Sequence, residues 1–184
     1  MMKAMKAREK SVPRRVGSVA LLTVILAGAA GCGEPEPFRI SEACGVKTDP
    51  DLIGQLLPRG EKLKTKDTFS EPKQPRCEFE VDRVEQVGLR GDVVEPFVKP
   101  LKVNERTMRR LGNPMPADVG DGATISDHAA MAVQACTYKG EKSQYVLSID
   151  GVEDPQDVEE RRRILEKLLR SQLPVAMEAE GCHP

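Results

Sequence analysis

The stretch HAAMAVQACTYKGEKSQYVLSID, residues 128–150, decides the fold class of this chain. Two segments with strand-like residues flank the short polar stretch KGEK, whose glycine favours a hairpin turn. Both faces of the first segment are mostly apolar: Ala130, Ala132, Gln134 and Cys136 on one face, and Ala129, Met131, Val133, Ala135 and Thr137 on the other. Apolar residues on both faces indicate a central strand of the sheet.

A long amphipathic helix is predicted directly after this hairpin, from about Pro155 to Gln172. Asp154-Pro155 is expected to start it, and Pro174 to end or kink it. Its apolar stripe consists of Val158, Leu165, Leu168, Leu169 and Leu173, with Ile164 at the margin. Charged pairs spaced four residues apart are expected on its water-facing side: Glu159/Arg163, Arg162/Glu166 and Glu166/Arg170.

The chain before residue 128 contains shorter elements. A helix over PDLIGQLL (50–57) is predicted to start at Thr48-Asp49-Pro50, with Thr48 as its cap, and a charged loop is predicted over 60–75. A strand over RCEFEVDRV (76–84) and a turn at Arg90-Gly91-Asp92 are predicted next. A strand over DVVEPFV (92–98), which Pro96 restricts to an edge or a bulge, and a helix over 104–111 capped by Asn104 complete this part of the chain. The sequence therefore predicts an α+β fold. A small antiparallel sheet is packed by the long C-terminal helix and a short N-terminal helix.

The first 31 residues have the layout of a secretory signal peptide: a basic segment, then the apolar run VGSVALLTVIL, then the small residues AGAAG. The uncharged stretch from Val16 to Gly31 is 16 residues long, which is short of the roughly 20 that cross a bilayer. An uncleaved membrane anchor is the alternative. Arg14-Arg15 leaves the export route open between the general and the twin-arginine pathways.

Ala29-Ala30-Gly31-Cys32 resembles a bacterial lipobox, with Ala29 where leucine is more usual. The resemblance implies that the Cys32 thiol receives a diacylglyceryl group and that cleavage makes Cys32 the new N-terminus. Two acyl chains suffice for stable anchoring. The resemblance therefore implies an extracytoplasmic protein, held at the cell membrane through lipidated Cys32.

Removal of residues 1–31 leaves 22 basic and 28 acidic side chains, a net charge of −6. Nucleic-acid binding depends on Lys and Arg neutralising phosphates, so no nucleic-acid partner is expected. The proline-rich segment 32–40 is predicted to be a flexible tether. Residues 41–184 then form a single extracellular domain.

Four cysteines remain for this domain, and an oxidising compartment favours two disulfides among three possible connectivities. We expect Cys44–Cys77 and Cys136–Cys182, because these pairs join neighbours along the chain and close loops of moderate length. Free buried thiols are the alternative. The spacing of cysteines and histidines predicts no metal site.

No residue is predicted to be catalytic, and no cofactor is expected. The candidates that the sequence offers are His128, the loop carboxylates Asp118, Asp121 and Asp127, and the acidic group Asp150, Glu153, Asp154 and Asp157. His128 with Asp127 is interpreted as a solvent-facing strand start. Gly120–Ala123, GDGA, is interpreted as a tight turn, because the P-loop spacing is missing. The acidic group suits a helix N-terminus better than calcium.

ACGVKTDPDLIGQLLP, RCEFEVD, VGDGATI and the final amphipathic helix resemble uncharacterised small lipoproteins of actinobacteria. The resemblance brings no known activity. The leading hypothesis is a non-catalytic binding or accessory module of the cell envelope, with an envelope protein as its partner. The alternatives are a small envelope hydrolase or enzyme inhibitor, and a solute-binding component of a transporter.

Substitution of Cys32→Ser is expected to abolish lipid attachment and to leave the precursor uncleaved by the lipoprotein peptidase. The reason is that only the thiol accepts the diacylglyceryl group in the family that the lipobox resembles. Labelling of cells with radioactive palmitate measures the modification. Labelled palmitate on the Cys32→Ser chain would contradict the lipobox interpretation.

Overall fold

The hairpin predicted at residues 128–150 forms the middle of an antiparallel sheet in the computed structural model, which describes residues 36–70 and 74–184. The predicted signal peptide (1–31), Cys32 and the first part of the predicted tether (32–35) lie outside the described residues. Within them the chain has the α+β fold that the sequence predicted. One long helix comes near the end of the order, and only a two-residue strand follows it.

The strands are β1 (Glu42–Ala43), β2 (Val46–Lys47), β3 (Leu63–Ser70), β4 (Gln74–Val81), β5 (Val84–Val94), β6 (Met115–Ala117), β7 (Gly122–Ile125), β8 (Ala130–Tyr138), β9 (Glu141–Asp150) and β10 (Cys182–His183). The helices are α1 (Pro50–Gln55), α2 (Pro100–Val103), α3 (Glu105–Arg110) and α4 (Val158–Glu180). β1 and β2 form a separate hairpin. The main sheet has the order β3-β4-β5-β9-β8-β7-β6, and β10 pairs with β8.

Strand β8 is central, as its two apolar faces predicted, because it lies between β9 and β7. One face of the sheet packs under α4, where Leu165, Leu168 and Leu169 are fully buried. Ala130, Ala132 and Cys136 of β8 belong to this main core. The other face forms a smaller core that includes Ala129, Met131 and Val133 of the β8 region with Val146 of β9 and Met108 of α3.

Both disulfides join the expected cysteines. Cys44–Cys77 ties the β1–β2 hairpin to β4, and Cys136–Cys182 ties β10 to β8. Their Cα atoms lie 5.8 Å and 5.5 Å apart, within the usual range for disulfides. The pairing of sequence neighbours is therefore confirmed, and each bridge fastens a terminal segment to the sheet.

The predicted loop over residues 60–75 is wrong, because β3 and β4 pair along most of this segment. β3 is the edge strand of the sheet, and exposed lysines such as Lys64 and Lys66 protect such an edge from further pairing. A charged edge strand has a polar composition similar to that of a loop, so the two look alike in the sequence. The strand predicted over 92–98 as an edge or bulged strand is also different in the structure. Its first residues belong to β5, which is not an edge strand because it pairs with both β4 and β9, and β5 ends before Pro96.

The turn predicted at Arg90-Gly91-Asp92 is also wrong, because all three residues lie within β5. A β-carbon on Gly91 would lie 2.0 Å from the Tyr145 hydroxyl oxygen and 2.8 Å from its Cζ atom. The glycine therefore allows the Tyr145 ring of the neighbouring strand β9 to lie against the β5 backbone. Glycine inside a strand often marks such a close approach.

Helix α1 begins at Pro50, and its cap is Asp49, whose Oδ1 accepts hydrogen bonds from the Asp51 and Leu52 amides. The expected cap Thr48 instead donates to the Ile40 carbonyl oxygen. Asn104 precedes α3 as predicted, but its side chain makes no capping hydrogen bond. It donates to the Pro100 carbonyl oxygen in α2 instead.

Helix α4 begins later and ends later than predicted. Asp157, not Asp154, caps its start by accepting from the Glu160 amide. The helix continues through Pro174 to Glu180 and ends at Gly181, which adopts a positive φ. Ala176 and Met177 are buried beyond the proline, and Cys182 is bonded to β8. Tertiary packing at this end therefore outweighs the hydrogen bond lost at Pro174.

The buried stripe of α4 contains two polar residues that the sequence analysis did not assign to it, Arg161 and Gln172. Arg162 is not on the wet side as expected, because it is almost buried and pairs with Asp127. Of the three expected helix pairs, Glu166–Arg170 forms an ion pair. Arg163 contacts the Glu159 backbone oxygen rather than its carboxylate.

Substitution of Gly91→Ala is expected to lower the free energy of unfolding by about 1–3 kcal/mol, since the new methyl group overlaps the Tyr145 side chain. Urea unfolding of the wild type and the variant measures the change. In a Tyr145→Leu background the same substitution should cost less, because the overlapping atoms are gone. An equal cost in both backgrounds would contradict this account of Gly91.

Candidate functional site

The single internal histidine, His128, lies where the start of β8 meets the loop before α4, a place that we call the corner. The Nδ1 atom of His128 lies 2.9 Å from the Val152 carbonyl oxygen and 3.4 Å from a Glu153 carboxylate oxygen. Next to it, Asp127 pairs with Arg162 and accepts from Asn113. Burial opposes ionisation of Asp127, but the Arg162 hydrogen bond holds its pKa below the ordinary value. The interpretation of this pair as solvent-facing is therefore wrong for Asp127.

Arg161 is the buried cation of this corner, with 3% of its surface exposed. It donates to the carbonyl oxygens of Asp127, Glu153 and Pro155. These bonds fasten the loop before α4 to the start of β8. The sequence signal for the burial of Arg161 was its position on the apolar stripe, at helical spacing from both Val158 and Leu165.

The carboxylates considered as catalytic candidates are not brought together as one cluster. Asp121 accepts from the Ala135 amide of β8 at 2.6 Å, and Asp157 caps α4. Asp150 lies 3.1 Å from Arg76. Gly120 has a positive φ in a turn that bonds to β8, which fits the predicted tight turn at GDGA. Within residues 36–70 and 74–184, no group of three or more metal-ligating side chains is present.

The strongest candidate site is a cavity of about 310 Å³ between the sheet and the α2–α3 segment, here called the α2–α3 groove. Its apolar end is lined by Val94, Val98, Pro100, Val103, Met108, Ala129, Met131 and Val146. Ser126, which is fully buried, donates to the Met108 carbonyl oxygen and holds α3 in place. A cavity of this size with mostly apolar walls is typical of ligand and peptide sites.

The other end of the groove is charged. Arg90 and Asp92 lie two residues apart on the same face of β5 and form an ion pair of 2.9 Å, with Ser148 and Asp150 of β9 beside them. The second carboxylate oxygen of Asp92, Oδ1, is buried and accepts no hydrogen bond from the part of the chain that the structure describes. Burial raises the pKa of Asp92, against the opposing charge of Arg90.

Two large apolar side chains of the segment 95–111 are exposed to water, and one of them, Val103, also lines the groove. Phe97 is 76% exposed and Val103 is 72% exposed. The turn that carries Phe97 is fixed by Gln144 of β9, which donates to the carbonyl oxygens of Glu95 at 3.2 Å and Val98 at 3.1 Å. Phe97 is thus presented by a braced turn, and exposed apolar groups of this kind mark interaction sites.

Exposed basic residues are interspersed with these apolar residues along the chain. Residues 95–111 contain five exposed basic residues, Lys99, Lys102, Arg106, Arg109 and Arg110, against the two acidic residues Glu95 and Glu105. Only Arg109 of the five forms an ion pair within the described part of the chain, with Glu105. The segment therefore carries a net charge of +3 on a chain whose overall charge is negative.

Sequence reasoning did not single out Phe97, Val103 or the basic residues around them. The available signal was EPFVKPLKV, residues 95–103, in which apolar side chains alternate with prolines and lysines. Prolines hold such a segment out of regular pairing, so that its apolar residues are not all drawn into a core.

No protein-family model, curated protein or solved structure matches this chain. In the part of the chain that the structure describes, no helix is both long enough and apolar enough to cross a membrane.

Substitution of Asp92→Asn is expected to remove a pH-dependent loss of stability. The raised pKa means that folded Asp92 binds its proton more tightly than the unfolded chain does. The contribution of protonated Asp92 to the free energy of unfolding is complete below the unfolded-state pKa of about 3.9. It is lost as the pH rises through the pKa of Asp92 in the folded state. Urea unfolding between about pH 3 and pH 7 should show the wild type losing stability relative to the variant. A difference that is constant with pH would contradict the assignment.

Proposed function

We propose that this chain is a lipid-anchored extracytoplasmic protein that acts as a non-catalytic binding or accessory module of the cell envelope. The observation that carries the proposal is a pair of exposed apolar side chains: Phe97, on a turn braced by Gln144, and Val103, on the wall of the α2–α3 groove. Water-exposed apolar side chains next to an apolar cavity gain most from a partner that covers them.

The location is supported by two features. The two disulfides suit an oxidising compartment. The resemblance of residues 29–32 to a lipobox supplies the anchor at Cys32, and the tether that follows would separate the domain from the membrane. Together they favour a domain that meets its partners on the outer side of the membrane.

The partner that fits best is an acidic, partly apolar segment of another envelope protein. The α2–α3 surface offers Phe97 and Val103 for apolar contact, and Lys99, Lys102 and Arg106 for carboxylates. Complementary charge steers association and fixes orientation. A hydrogen-bond donor on such a partner would also satisfy Asp92 Oδ1 at the charged end of the groove, which has no donor within the described residues.

The α2–α3 groove also favours one alternative, the solute-binding component of a transporter, because its volume falls within the range of small-molecule sites. A small envelope hydrolase or enzyme inhibitor has less support. Two of the catalytic candidates, His128 and Asp121, are both engaged in hydrogen bonds to the backbone.

The double substitution Phe97→Ser with Val103→Ser is expected to abolish the cellular role of the protein without unfolding it. Both side chains are exposed, so their loss removes partner contacts and little core packing. Complementation of a deletion strain at matched protein abundance measures the effect. A photo-crosslinking residue at position 97 should trap the same partner that is lost in the double variant.

Val84→Ser is the matched control, because Val84 is 59% exposed at the start of β5, six residues before Arg90, the first residue of that strand to line the groove. It should complement fully, and so should His128→Ala. Full activity of the Phe97/Val103 variant would contradict the proposed surface. Failure of a well-folded His128→Ala protein would favour the hydrolase alternative instead.

A further inference from the structure

A second cavity, of about 240 Å³, lies on the opposite face of the sheet, beneath the C-terminal part of α4. We call it the Tyr145 pocket. The β1–β2 hairpin forms one wall, and it is held in place by the Cys44–Cys77 disulfide and by Gln172, which donates to the Lys47 carbonyl oxygen at 3.1 Å. The pocket is therefore built by parts that are tied together covalently and by hydrogen bonds.

Tyr145 lines this pocket and is 4% exposed. Its hydroxyl lies against Gly91 and makes no hydrogen bond within residues 36–70 and 74–184. An unpartnered hydroxyl at the wall of a pocket can accept a hydrogen bond from a ligand that enters the pocket. Burial and the nearby Glu180 carboxylate raise the pKa of Tyr145, so the phenol stays neutral and keeps its oxygen as an acceptor.

Two of the four charged residues that line the pocket are acidic. Asp67 of β3 and Glu180 at the end of α4 both line it, and neither forms an ion pair or hydrogen bond with any described residue. The C-terminal end of the 23-residue helix α4 adds negative partial charge. These groups surround the phenol oxygen with negative potential.

The two arginines that border the pocket, Arg76 and Arg90, do not neutralise this charge. Along their strands they alternate with Cys77 and Leu89, which face the pocket side. Their guanidinium groups are engaged on the other face of the sheet, Arg76 with Glu78, Glu85 and Asp150, and Arg90 with Asp92. The remaining walls are apolar, and include Leu89, Leu147 and Ala176.

We propose that the Tyr145 pocket binds a primary alkylammonium group. The ammonium donates hydrogen bonds to the Tyr145 hydroxyl oxygen and pairs with Asp67 and Glu180, while the alkyl chain lies against the apolar walls. The same chemistry is presented by a free small amine and by a lysine side chain. The Tyr145 pocket is separate from the α2–α3 groove, so a test of amine binding does not depend on the proposed function.

The test is a site-resolved NMR titration of the full chain in non-ionic detergent micelles, with 1-aminopentane as the probe and the Gly91 and Ala176 amides as reporters. 1-Aminopentane should shift both signals, whereas 1-pentanol and pentanoate, of matched length, should bind at least about tenfold more weakly. Nα-acetyl-lysine methylamide distinguishes the sources. Binding of this probe as well assigns the pocket to lysine side chains, and binding of 1-aminopentane alone assigns it to free amines.

Asp67→Asn with Glu180→Gln is expected to weaken binding of 1-aminopentane at least about tenfold, and Tyr145→Phe about fivefold. Glu160→Gln, at the other end of α4, is the matched control and should leave binding unchanged. Tyr145→Phe should also leave the melting temperature nearly unchanged, which separates a binding role from a structural one. Equal affinity for 1-pentanol, unchanged affinity in the acidic double variant, or no shift at Gly91 and Ala176 would overturn the proposal.

Discussion

The burial of α4 against β8 and β9 is the constraint on which the rest of the structure depends. Leu165, Leu168 and Leu169 are fully enclosed there, and each buried leucine contributes about 1.5–3 kcal/mol. One helix, about 10 Å wide, covers only part of a sheet whose seven successive strands span about 29 Å. The remaining area of that face is covered by α1 and the β1–β2 hairpin. This requirement explains why one disulfide fastens the hairpin to β4 and the other fastens the chain end after α4 to β8.

The opposite face of the sheet is covered less completely, which leaves a groove beside α2 and α3 and a charged area beyond it. The short helices α2 and α3 protect Met131, Val133 and Val146, but leave the α2–α3 groove open beside them. Beyond the groove the face is charged, with Arg76 bound to carboxylates on three strands. Burial raises the pKa of Asp150 against the opposing charge of Arg76, which marks a network at the border between core and water.

The two cavities differ in charge for a structural reason. The α2–α3 segment is a surface layer made of a basic, proline-containing sequence, so its exposed side chains give the groove a positive rim. The Tyr145 pocket forms where the C-terminal end of α4 meets the sheet, and its rim is negative because Asp67, Glu180 and the helix end converge there. A chain with a net negative charge thus presents one basic and one acidic surface on opposite faces of the same sheet.

The sequence by itself determined the β8–β9 hairpin, the central position of β8 and the existence of α4, and it favoured the observed pairing of the cysteines among three possible ones. These features depend on local periodicity, on turn residues and on separation along the chain. Only the tertiary structure decided that residues 63–81 form a hairpin, that Gly91 lies inside a strand, that Arg161 is buried and that α4 continues past Pro174. Each of these depends on a distant partner: a neighbouring strand, the Tyr145 ring, three backbone carbonyl oxygens, or the disulfide at Cys182. The α2–α3 groove and the Tyr145 pocket belong to this second group, because their walls come from segments far apart in sequence, and local patterns contain no information about which distant surfaces meet.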